Sequence, residues 1–345
     1  MPKKAKTKLT ILLLLIGLLC GCNQIAAEPY EYTGFAFGGL IQSKLYGEAK
    51  NTQAANDALM LQFQTLEALM SVNLTESELL TVNRQAGIAP VKISEPTMAV
   101  LQKALTVAEI SNGAFNPAIG PLVKLWQIGF DGAHLPTEAE IAATLPLLNY
   151  KDIVVNAAES TVFLSKVGMG LDFGAIAKGY AADQAVRILA ENQIDSALIS
   201  INGNLLTVGV KPNHSVWKAA IADPRGTVND YVGILPLTDS TISTSGDYER
   251  YFEQDGVRYH HLLDYTTGYP AASDLMSASM ICPDGTLADA LSTAVFVLGK
   301  EAGIALLQHY PEVDYVLIDQ TYNITLSSGL RNSFELTNTA YRLSK

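Results

Sequence analysis

The stretch MGLDFGAIAKGYAADQA, residues 169–185, changes character in its middle. A strand-like run ending in LDF stops at Gly174, and Lys178 and Gly179 follow at the start of an amphipathic segment with helical spacing. Free amide groups at a helix start, the partial positive charge there and a lysine together favour phosphate binding. A solvated lysine beside a tight strand-to-helix turn has the same pattern. The stretch alone leaves both interpretations open.

Two familiar nucleotide motifs do not fit this stretch. The letters DFG at 172–174 occur in protein kinases, but no glycine-rich loop, VAIK-like strand or HRD-like loop accompanies them. A Walker A loop has four residues between its first glycine and a Gly-Lys-Ser/Thr end, and the chain has no such string. The sequence therefore excludes both a kinase and a P-loop nucleotide site.

Away from this stretch, strands and helices follow each other without strict alternation. Apolar residues have helical spacing over 52–70 and 94–113, whereas 196–209 and 315–330 have the strand–turn–strand pattern of hairpins. This mixed order favours an α+β fold over a doubly wound parallel sheet. The chain shows no fixed-period repeat and no clear domain break, which indicates one large domain.

Composition and charge limit the classes of function. Of the 345 residues, 48% are hydrophobic and 17% charged, which is typical of a folded globular protein. The net charge of −11 and the lack of a basic patch argue against nucleic acid as a partner. Cys282 is the one cysteine beyond the N-terminal segment, and its place in the strand-like run SASMIC predicts a buried structural thiol rather than a nucleophile.

The N-terminus has the pattern of a secretory signal. MPKKAKTK is basic, and the apolar run LTILLLLIGLLCGC is too short for a comfortable transmembrane helix. Its end, Leu19-Cys20-Gly21-Cys22, resembles a bacterial lipobox, which implies cleavage before Cys22 and lipidation of that residue. We therefore predict a signal peptide (1–21), a lipidated tether (22–34) and a membrane-anchored, extracytoplasmic location on the periplasmic side or the cell surface. The alternative is an ordinary cleaved signal with incidental cysteines.

A second cluster lies in PDGTLADALSTAVFVLG, residues 283–299. Asp289 and Thr293 are four residues apart, so they share one face of a helix. A carboxylate and a hydroxyl on one face suit Mg²⁺, which takes few protein ligands together with phosphate oxygens. An acid near a helix end and a threonine bonded to its own backbone would give the same spacing without a metal.

Two further clusters carry side chains suited to a site. Residues 243–270 contain Ser245 and the pair His260–His261, whose alternation along a strand lets one ring reach a site while the other packs. Histidine beside acids is the usual general acid or base, and zinc is disfavoured because no HExxH string or cysteine partner is present. The glycines, prolines and aromatic residues of 111–126 are typical of a loop that lines a flat ligand.

Taken in order, these clusters resemble the ApbE family of bacterial FAD:protein FMN transferases. The strings that carry the resemblance span most of the chain after the signal and are SELLTVN, GAFNPAIGPLVKLW, LDFGAIAKGYAAD, INGNLLTVG, STSGDYERYF, RYHHLLDYTTGYP and ADALSTAVFVLG.

The resemblance implies a fold and an activity. The expected fold is a single catalytic domain over 35–345, related to the T-fold, with mixed or antiparallel sheets and flanking helices. The expected reaction uses FAD as substrate and Mg²⁺ as cofactor, joins the FMN half to a Thr or Ser hydroxyl of an acceptor protein and releases AMP. The acceptors that the family suggests are flavoproteins of respiratory or extracellular electron transfer.

The resemblance also implies roles for individual residues. The metal ligands would be the backbone carbonyl of Ala175 and the side chains of Asp289 and Thr293. His261 and Asp289 would be catalytic, with His261 taking the proton from the acceptor hydroxyl. The predicted contacts to the flavin nucleotide are Asn73, Ala114, Phe115, Asn116, Asp172, Lys178, Ser245 and His261.

Three departures from the family pattern leave alternatives open. Phe37-Gly38-Gly39 stands where the family has Met-Gly-Thr, and Asn116 where it has an aspartate. Asn73 aligns with a position at which many members place a flavin-stacking tyrosine, so the isoalloxazine ring should be held less firmly. Hydrolysis of FAD to FMN and AMP is therefore an alternative to transfer, and a non-catalytic flavin-binding lipoprotein is a third.

Overall fold

The computed structural model describes residues 28–344; the predicted signal peptide and the predicted lipidation site, Cys22, lie outside them. The described residues form these strands: β1 (Tyr30–Ala36), β2 (Gly39–Tyr46), β3 (Val91–Lys92), β4 (Ile153–Asn156), β5 (Thr161–Leu164), β6 (Ser196–Ile201), β7 (Asn204–Val208), β8 (Trp217–Ala222), β9 (Tyr231–Leu237), β10 (Ser240–Gly246), β11 (Tyr251–Gln254), β12 (Val257–His260), β13 (Leu275–Cys282), β14 (Asp314–Asp319), β15 (Asn323–Leu326), β16 (Glu335–Leu336) and β17 (Arg342–Leu343).

The helices lie between these strands without a regular βαβ repeat. They are α1 (Ala49–Met70), α2 (Glu78–Arg84), α3 (Glu95–Ile110), α4 (Gly120–Trp126), α5 (Glu138–Thr144), α6 (Ala177–Glu191), α7 (Gly285–Leu298) and α8 (Lys300–Leu307), with short 3-10 turns at Leu145–Leu147 and Tyr150–Asp152. Within residues 28–344, no helix is both long and apolar enough to cross a bilayer.

A nine-stranded sheet forms the centre of the fold, in the order β1-β2-β6-β7-β10-β13-β14-β15-β17. Every neighbouring pair is antiparallel except β15 with β17. This antiparallel sheet with separate helices is the α+β arrangement that the mixed order predicted. Strands β6 and β7 lie within the predicted range 196–209, and β14–β15 matches the range 315–330 except that β14 begins one residue earlier, at Asp314.

The central sheet is covered on both faces. Apolar residues of helices α1, α3, α6 and α7 form one cluster with it, including Phe63, Leu101 and Phe296. The small sheet β16-β9-β8 packs on the other face through Trp217 and Val232. Strand β13 lies in the middle and is buried along its whole length. This burial raises the pKa of the Cys282 thiol to about 12, so the residue is the buried structural thiol that was predicted.

The structure differs from the sequence interpretation at two boundaries. Strand β1 begins at Tyr30 and pairs with β2, so residues 30–34 belong to the sheet rather than to a tether. The strand-like run before Gly174 was also predicted to be longer than it is, because β5 ends at Leu164. Residues 165–173 are irregular, and their backbone groups bond to loops and side chains instead of to a neighbouring strand.

A buried carboxylate at the end of β14 ties the sheet to α8. Asp319 accepts hydrogen bonds from Lys300 Nζ at 2.9 Å, Thr321 Oγ1 at 2.7 Å and the amide of Asn323 at 3.0 Å. Burial alone would raise the pKa of this carboxyl, but the hydrogen bonds outweigh it and hold the pKa well below its usual range.

We expect Asp319→Asn to lower the free energy of unfolding by about 2–4 kcal/mol at pH 7, because Lys300 loses its charged partner. A depressed folded-state pKa stabilises the fold above the unfolded value of about 3.9, and this stabilisation is lost progressively as pH falls from that value toward the folded-state pKa. Urea unfolding at pH 7 and at pH 3.5 measures both effects. A difference between wild type and variant that stays constant over this range would contradict the assignment.

Candidate active site

Helices α6 and α7 cross at two glycines. A methyl group added at Gly179 would lie 2.1 Å from the carbonyl oxygen of Gly285 and 2.7 Å from Cβ of Asp289. A methyl group added at Gly285 would in turn lie 2.7 Å from the carbonyl oxygen of Gly179. Only glycine fits at this distance, so the pair sets how closely the backbone of α6 approaches the side chains of α7.

The close crossing changes the hydrogen bonding of the first turn of α6. The amide of Gly179 donates to Asp289 Oδ2 at 2.9 Å, instead of to the carbonyl four residues earlier as in a regular helix. That carbonyl belongs to Ala175, and among residues 28–344 it accepts no hydrogen bond. The structure thus brings a free backbone oxygen and a buried carboxylate together at the two positions that were predicted as metal ligands.

At the other end of the α6–α7 crossing, a carboxylate of α6 bonds to the first turn of α7. Asp183 accepts from the amides of Gly285 at 2.7 Å and Thr286 at 3.0 Å, and also from the Thr286 hydroxyl. The side chain of Asp284 accepts from the amide of Leu287 at 2.8 Å. Because its first amide groups are already bonded to carboxylates, the N-terminus of α7 is not an anion site.

A cavity of about 470 Å³ lies beside Asp183 and the first turn of α7. None of the residues predicted for the site lines it, and Lys103 within it is paired with Asp284 at 2.7 Å. Its lining consists of Ala99, Lys103, Tyr180, Asp183, Pro283, Asp284 and Thr286.

Lys178 points along the same face as the metal-ligand positions. Its Nζ lies 3.9 Å from Asp289 Oδ1 and donates to the carbonyl of Gly174 at 3.4 Å. The side chain is only 17% exposed, so its charge acts with little screening by water. The predicted positive charge at the strand-to-helix turn is therefore present and is directed at Asp289.

A hydroxyl at the end of strand β10 bonds to two hydroxyls of α7. Ser245 Oγ lies 3.1 Å from Thr293 Oγ1 and 2.9 Å from Ser292 Oγ. Ser245 and Ser292 are buried, whereas Thr293 is partly exposed. Ser245, predicted to contact the nucleotide, is thus hydrogen-bonded to Thr293; Ser292 was not among the predicted ligand or catalytic residues.

The irregular segment before α6 is held by an asparagine. Asn83, at the end of the SELLTVN string, accepts from the amide of Leu171 at 2.7 Å and donates to its carbonyl at 2.9 Å. The amide of Asp172 donates to the carbonyl of Pro117, and Asp172 Oδ1 accepts from the amide of Gly174 at 2.7 Å. Burial raises the pKa of Asp172, while the Gly174 amide and the charge of Arg250 oppose that rise.

Most side chains of the loop at 113–117, which was predicted to contact the nucleotide, are buried within the protein. Phe115 is 2% exposed and belongs to the core. Asn116 donates to the carbonyl of Leu148 at 2.8 Å and accepts from the amide of Ala118 at 2.9 Å, so both ends of its amide group are bonded within the protein. The loop therefore offers its backbone and the partly exposed Ala114 to a ligand. Asn73 lies in the exposed loop after α1, and no hydrogen bond in the described chain joins its side chain to the cluster.

The two adjacent histidines do separate, as their alternation predicted. His260 is buried: its Nε2 lies 3.2 Å from the Ala271 carbonyl, and its Nδ1 accepts from the amide of Leu262. Both ring nitrogens are thus used in packing the hairpin β11–β12. His261 is partly exposed, and its Nδ1 lies 3.3 Å from the Arg250 carbonyl. A carbonyl can only accept, so Nδ1 carries the proton and Nε2 offers its lone pair.

Burial and nearby charged groups shift the pKa values of His261 and Glu249. Burial, followed by the positive charges of Arg250 and Lys178, lowers the pKa of His261 to about 3, so its ring is neutral at pH 7. Burial also raises the pKa of Glu249, while Lys178 and Arg250 lower it and Asp289 raises it. Glu249 and Arg250 nevertheless reach solvent, as does part of His261. Desolvated groups that remain accessible are typical of a cleft, and neither Glu249 nor Arg250 was predicted as a site residue.

Residues 37–317 match the model of the ApbE family. The chain belongs to the ApbE family. The FAD:protein FMN transferase of Treponema pallidum (strain Nichols) is 38% identical over 335 residues, or 92% of this chain and 92% of that one. That of Klebsiella pneumoniae (strain 342) is 37% identical over 314 residues, which cover 91% and 96%. The solved ApbE structure from Thermotoga maritima has a TM-score of 0.82 at 30% identity over 89% of this chain and 99% of that chain. Flavin transferase ApbE from Vibrio cholerae has 0.79 at 25% identity, with the same coverage.

The oxygen atoms at the α6–α7 crossing are of the kind that Mg²⁺, the metal implied by the family resemblance, prefers. Within residues 28–344, no group of three or more His, Cys, Asp and Glu side chains could hold an ion. The crossing instead offers one carboxylate, one hydroxyl and one unbonded backbone carbonyl, from Asp289, Thr293 and Ala175. Such a sparse, hard-oxygen set would fit a magnesium ion whose coordination is completed by phosphate oxygens and water.

Proposed function

We propose that this chain is a Mg²⁺-dependent FAD:protein FMN transferase whose site lies at the α6–α7 crossing. The observation that carries the proposal is the redirected amide of Gly179, which fixes Asp289 next to Lys178 and leaves the Ala175 carbonyl without a hydrogen bond. The names of the curated relatives support the reaction, and the neutral His261 supplies a base for it.

The reaction proceeds by attack of a Thr or Ser hydroxyl of the acceptor protein on the FMN-side phosphorus of FAD. His261 Nε2 takes the hydroxyl proton as the new O–P bond forms. The bond between that phosphorus and the bridging oxygen breaks, and AMP leaves with the bridging oxygen. The product is a phosphoester between FMN and the acceptor side chain, and protonation of the histidine balances the step.

Positive charge on this chain supports the leaving phosphate. Mg²⁺, when bound by Ala175, Asp289 and Thr293, neutralises the diphosphate and the charge that develops on AMP. Lys178 lies beside these ligands with its charge largely desolvated, and Arg250 acts on the same cleft. Burial and, to a lesser extent, these two charges keep His261 neutral. An anionic diphosphate near them offsets their effect and makes His261 a stronger base when substrate is present.

Hydrolysis of FAD is the second candidate, and the position of Asn73 favours it. This residue is exposed and offers no aromatic face where many family members stack the flavin on tyrosine. A flavin held less firmly leaves more room for water at the phosphorus. Attack by water would give FMN and AMP by the same route, with His261 taking the proton from water.

The location and the acceptor follow from the N-terminal sequence and from the family. Lipidation at Cys22 would hold the domain at the outer face of a membrane, where flavoproteins of respiratory or extracellular electron transfer would receive FMN. Labelled glycerol or palmitate incorporation into wild type and Cys22→Ala tests the anchor. Incorporation that persists in the variant would contradict it.

The decisive experiment is product analysis with FAD, Mg²⁺ and a candidate acceptor. We expect AMP release together with ultraviolet-excited flavin fluorescence that stays on the acceptor in a denaturing gel. Complete conversion to free FMN and AMP without acceptor labelling would replace transfer by hydrolysis. Stoichiometric FAD binding without AMP release would leave a flavin-binding protein with no catalytic activity.

Metal removal provides a further prediction. Dialysis against EDTA should lower AMP release at least about tenfold, because the charges of the diphosphate then lack their principal counter-ion. Addition of Mg²⁺ should restore the rate, while Ca²⁺, which prefers more ligands at longer distances, should restore less of it. A rate that is unchanged after EDTA treatment, with metal content checked by emission spectrometry, would remove Mg²⁺ from the proposal.

A further inference from the structure

Four oxygen atoms form an unbroken chain from the backbone of α7 to Thr293. Ser292 Oγ donates to the backbone carbonyl of Asp289 at 2.8 Å. Ser245 Oγ lies 2.9 Å from Ser292 Oγ and 3.1 Å from Thr293 Oγ1. The two serines are 6% and 1% exposed, so water does not compete for these hydrogen bonds.

The backbone carbonyl at one end of these hydrogen bonds determines which hydroxyl donates in each of them. A carbonyl accepts only, so the single hydroxyl proton of Ser292 is committed to the Asp289 carbonyl. Ser292 Oγ can then only accept from Ser245, which commits the proton of Ser245. Ser245 Oγ is left as an acceptor, and the proton that it accepts is that of Thr293. The reverse direction would set two lone pairs against each other at 2.9 Å.

We propose that Ser245 and Ser292 are positioning residues that polarise Thr293 for a cation. With its proton directed inward to Ser245, the Thr293 oxygen has its lone pairs available on the helix face that it shares with Asp289. A hydroxyl that could rotate would point its proton at the metal in part of the molecules and repel it. The inference deepens the proposed function and rests on Thr293 being a metal ligand.

The same strand offers a matched control. Ser243 precedes Ser245 by two residues, so it faces the same side of β10, and it is fully buried. Its hydroxyl has no hydrogen-bond partner in the described structure. Ser243→Ala and Ser245→Ala therefore remove the same atom from the same strand, and only the second interrupts the chain of hydroxyls.

The test is a Mn²⁺ titration of the FAD-free protein, followed through the electron paramagnetic resonance signal of free Mn²⁺. We expect Ser245→Ala to raise the Kd about tenfold, the usual size of an effect transmitted through a ligand's hydrogen-bond partner. Ser292→Ala should raise it less, since Ser245 still accepts from Thr293 but its own proton becomes free to turn. Ser243→Ala should stay within about twofold of wild type, and Ser245→Thr, which keeps the hydroxyl, should bind more tightly than Ser245→Ala.

The outcomes separate this inference from the proposed function. Weaker binding by Thr293→Val together with unchanged binding by Ser245→Ala would overturn the positioning role and leave the metal site intact. Wild-type binding that is absent, or insensitive to Thr293→Val and Asp289→Asn, would overturn the metal site and this inference with it. Urea unfolding of each variant accompanies the titration, and an equal loss of metal affinity in Ser243→Ala would show a general effect of the strand and contradict the proposal.

Discussion

Gly179→Ala is expected to abolish transfer and to destabilise the fold. The added methyl group would lie 2.1 Å from the Gly285 carbonyl oxygen, which belongs to the backbone of α7 and cannot turn away. The two helices must separate, at a cost of about 3 kcal/mol in the free energy of unfolding. Separation also breaks the hydrogen bond from the Gly179 amide to Asp289, and a misplacement of about 1 Å at the site should lower the rate roughly 100-fold or more.

Gly170→Ala is the matched control for this variant. Gly170 is also buried and lies nine residues earlier, but its added methyl group would meet Pro121 and Asn83 at the ordinary contact distances of 3.5 and 3.6 Å. AMP release from FAD and urea unfolding measure both variants. Gly179→Ala with wild-type turnover, or a loss that Gly170→Ala shares in full, would contradict the role given to the crossing.

The general fold was accessible from the sequence because its signals are local. The start of α6 was predicted from Gly174 and Lys178, and the helix begins at Ala177. The preceding strand was predicted too long because the apolar residues of LDF are buried without belonging to a sheet. Asn83, 88 residues away along the chain, bonds both backbone groups of Leu171 and replaces a neighbouring strand. No periodicity in the sequence records such a partner.

The site shows the same division between local and distant information. Helical spacing placed Asp289 and Thr293 on one face, and strand alternation separated the two histidines. The Gly179–Gly285 crossing joins helices that lie far apart in sequence, and Ser245 meets Ser292 across 47 positions. Glycine and serine also occur in any loop or strand, so their types alone carry no signal. The burial of Asn116, which determines what its amide bonds to, was likewise not evident from its polarity.

His261→Gln should lower the rate of FMN transfer by about 10²- to 10⁴-fold, the usual contribution of a positioned general base. The glutamine keeps a polar side chain beside the Arg250 carbonyl but cannot take up the acceptor proton. FAD affinity should fall much less than the transfer rate, because in the proposed step His261 acts on the acceptor hydroxyl. Stopped-time assays of acceptor labelling measure the rate, and fluorescence quenching measures FAD affinity.

The same variant should be more stable than wild type in acid, which distinguishes a lost base from a damaged fold. In the unfolded chain the imidazole takes a proton near pH 6.5, whereas in the folded protein its pKa is about 3. Between these values the unfolded state binds more protons, so the free energy of unfolding of the wild type falls as pH drops below about 6.5. Glutamine does not titrate, and relative to wild type the variant should gain about 1–2 kcal/mol by pH 5.

His260→Gln is the control, because burial also lowers the pKa of His260, but both of its ring nitrogens are bonded within the protein, to Ala271 and Leu262. It should lower the free energy of unfolding by about 1–3 kcal/mol at pH 7 through lost buried hydrogen bonds, yet keep transfer within about tenfold of wild type while folded. An inactive His260→Gln beside an active His261→Gln would reverse the assignment of the two rings. Loss of activity in His261→Gln together with lower stability at both pH 5 and pH 7 would instead indicate that the ring supports the fold. A histidine that its surroundings keep neutral lowers the stability of the wild type as the pH falls, so its removal should not destabilise the protein at pH 5.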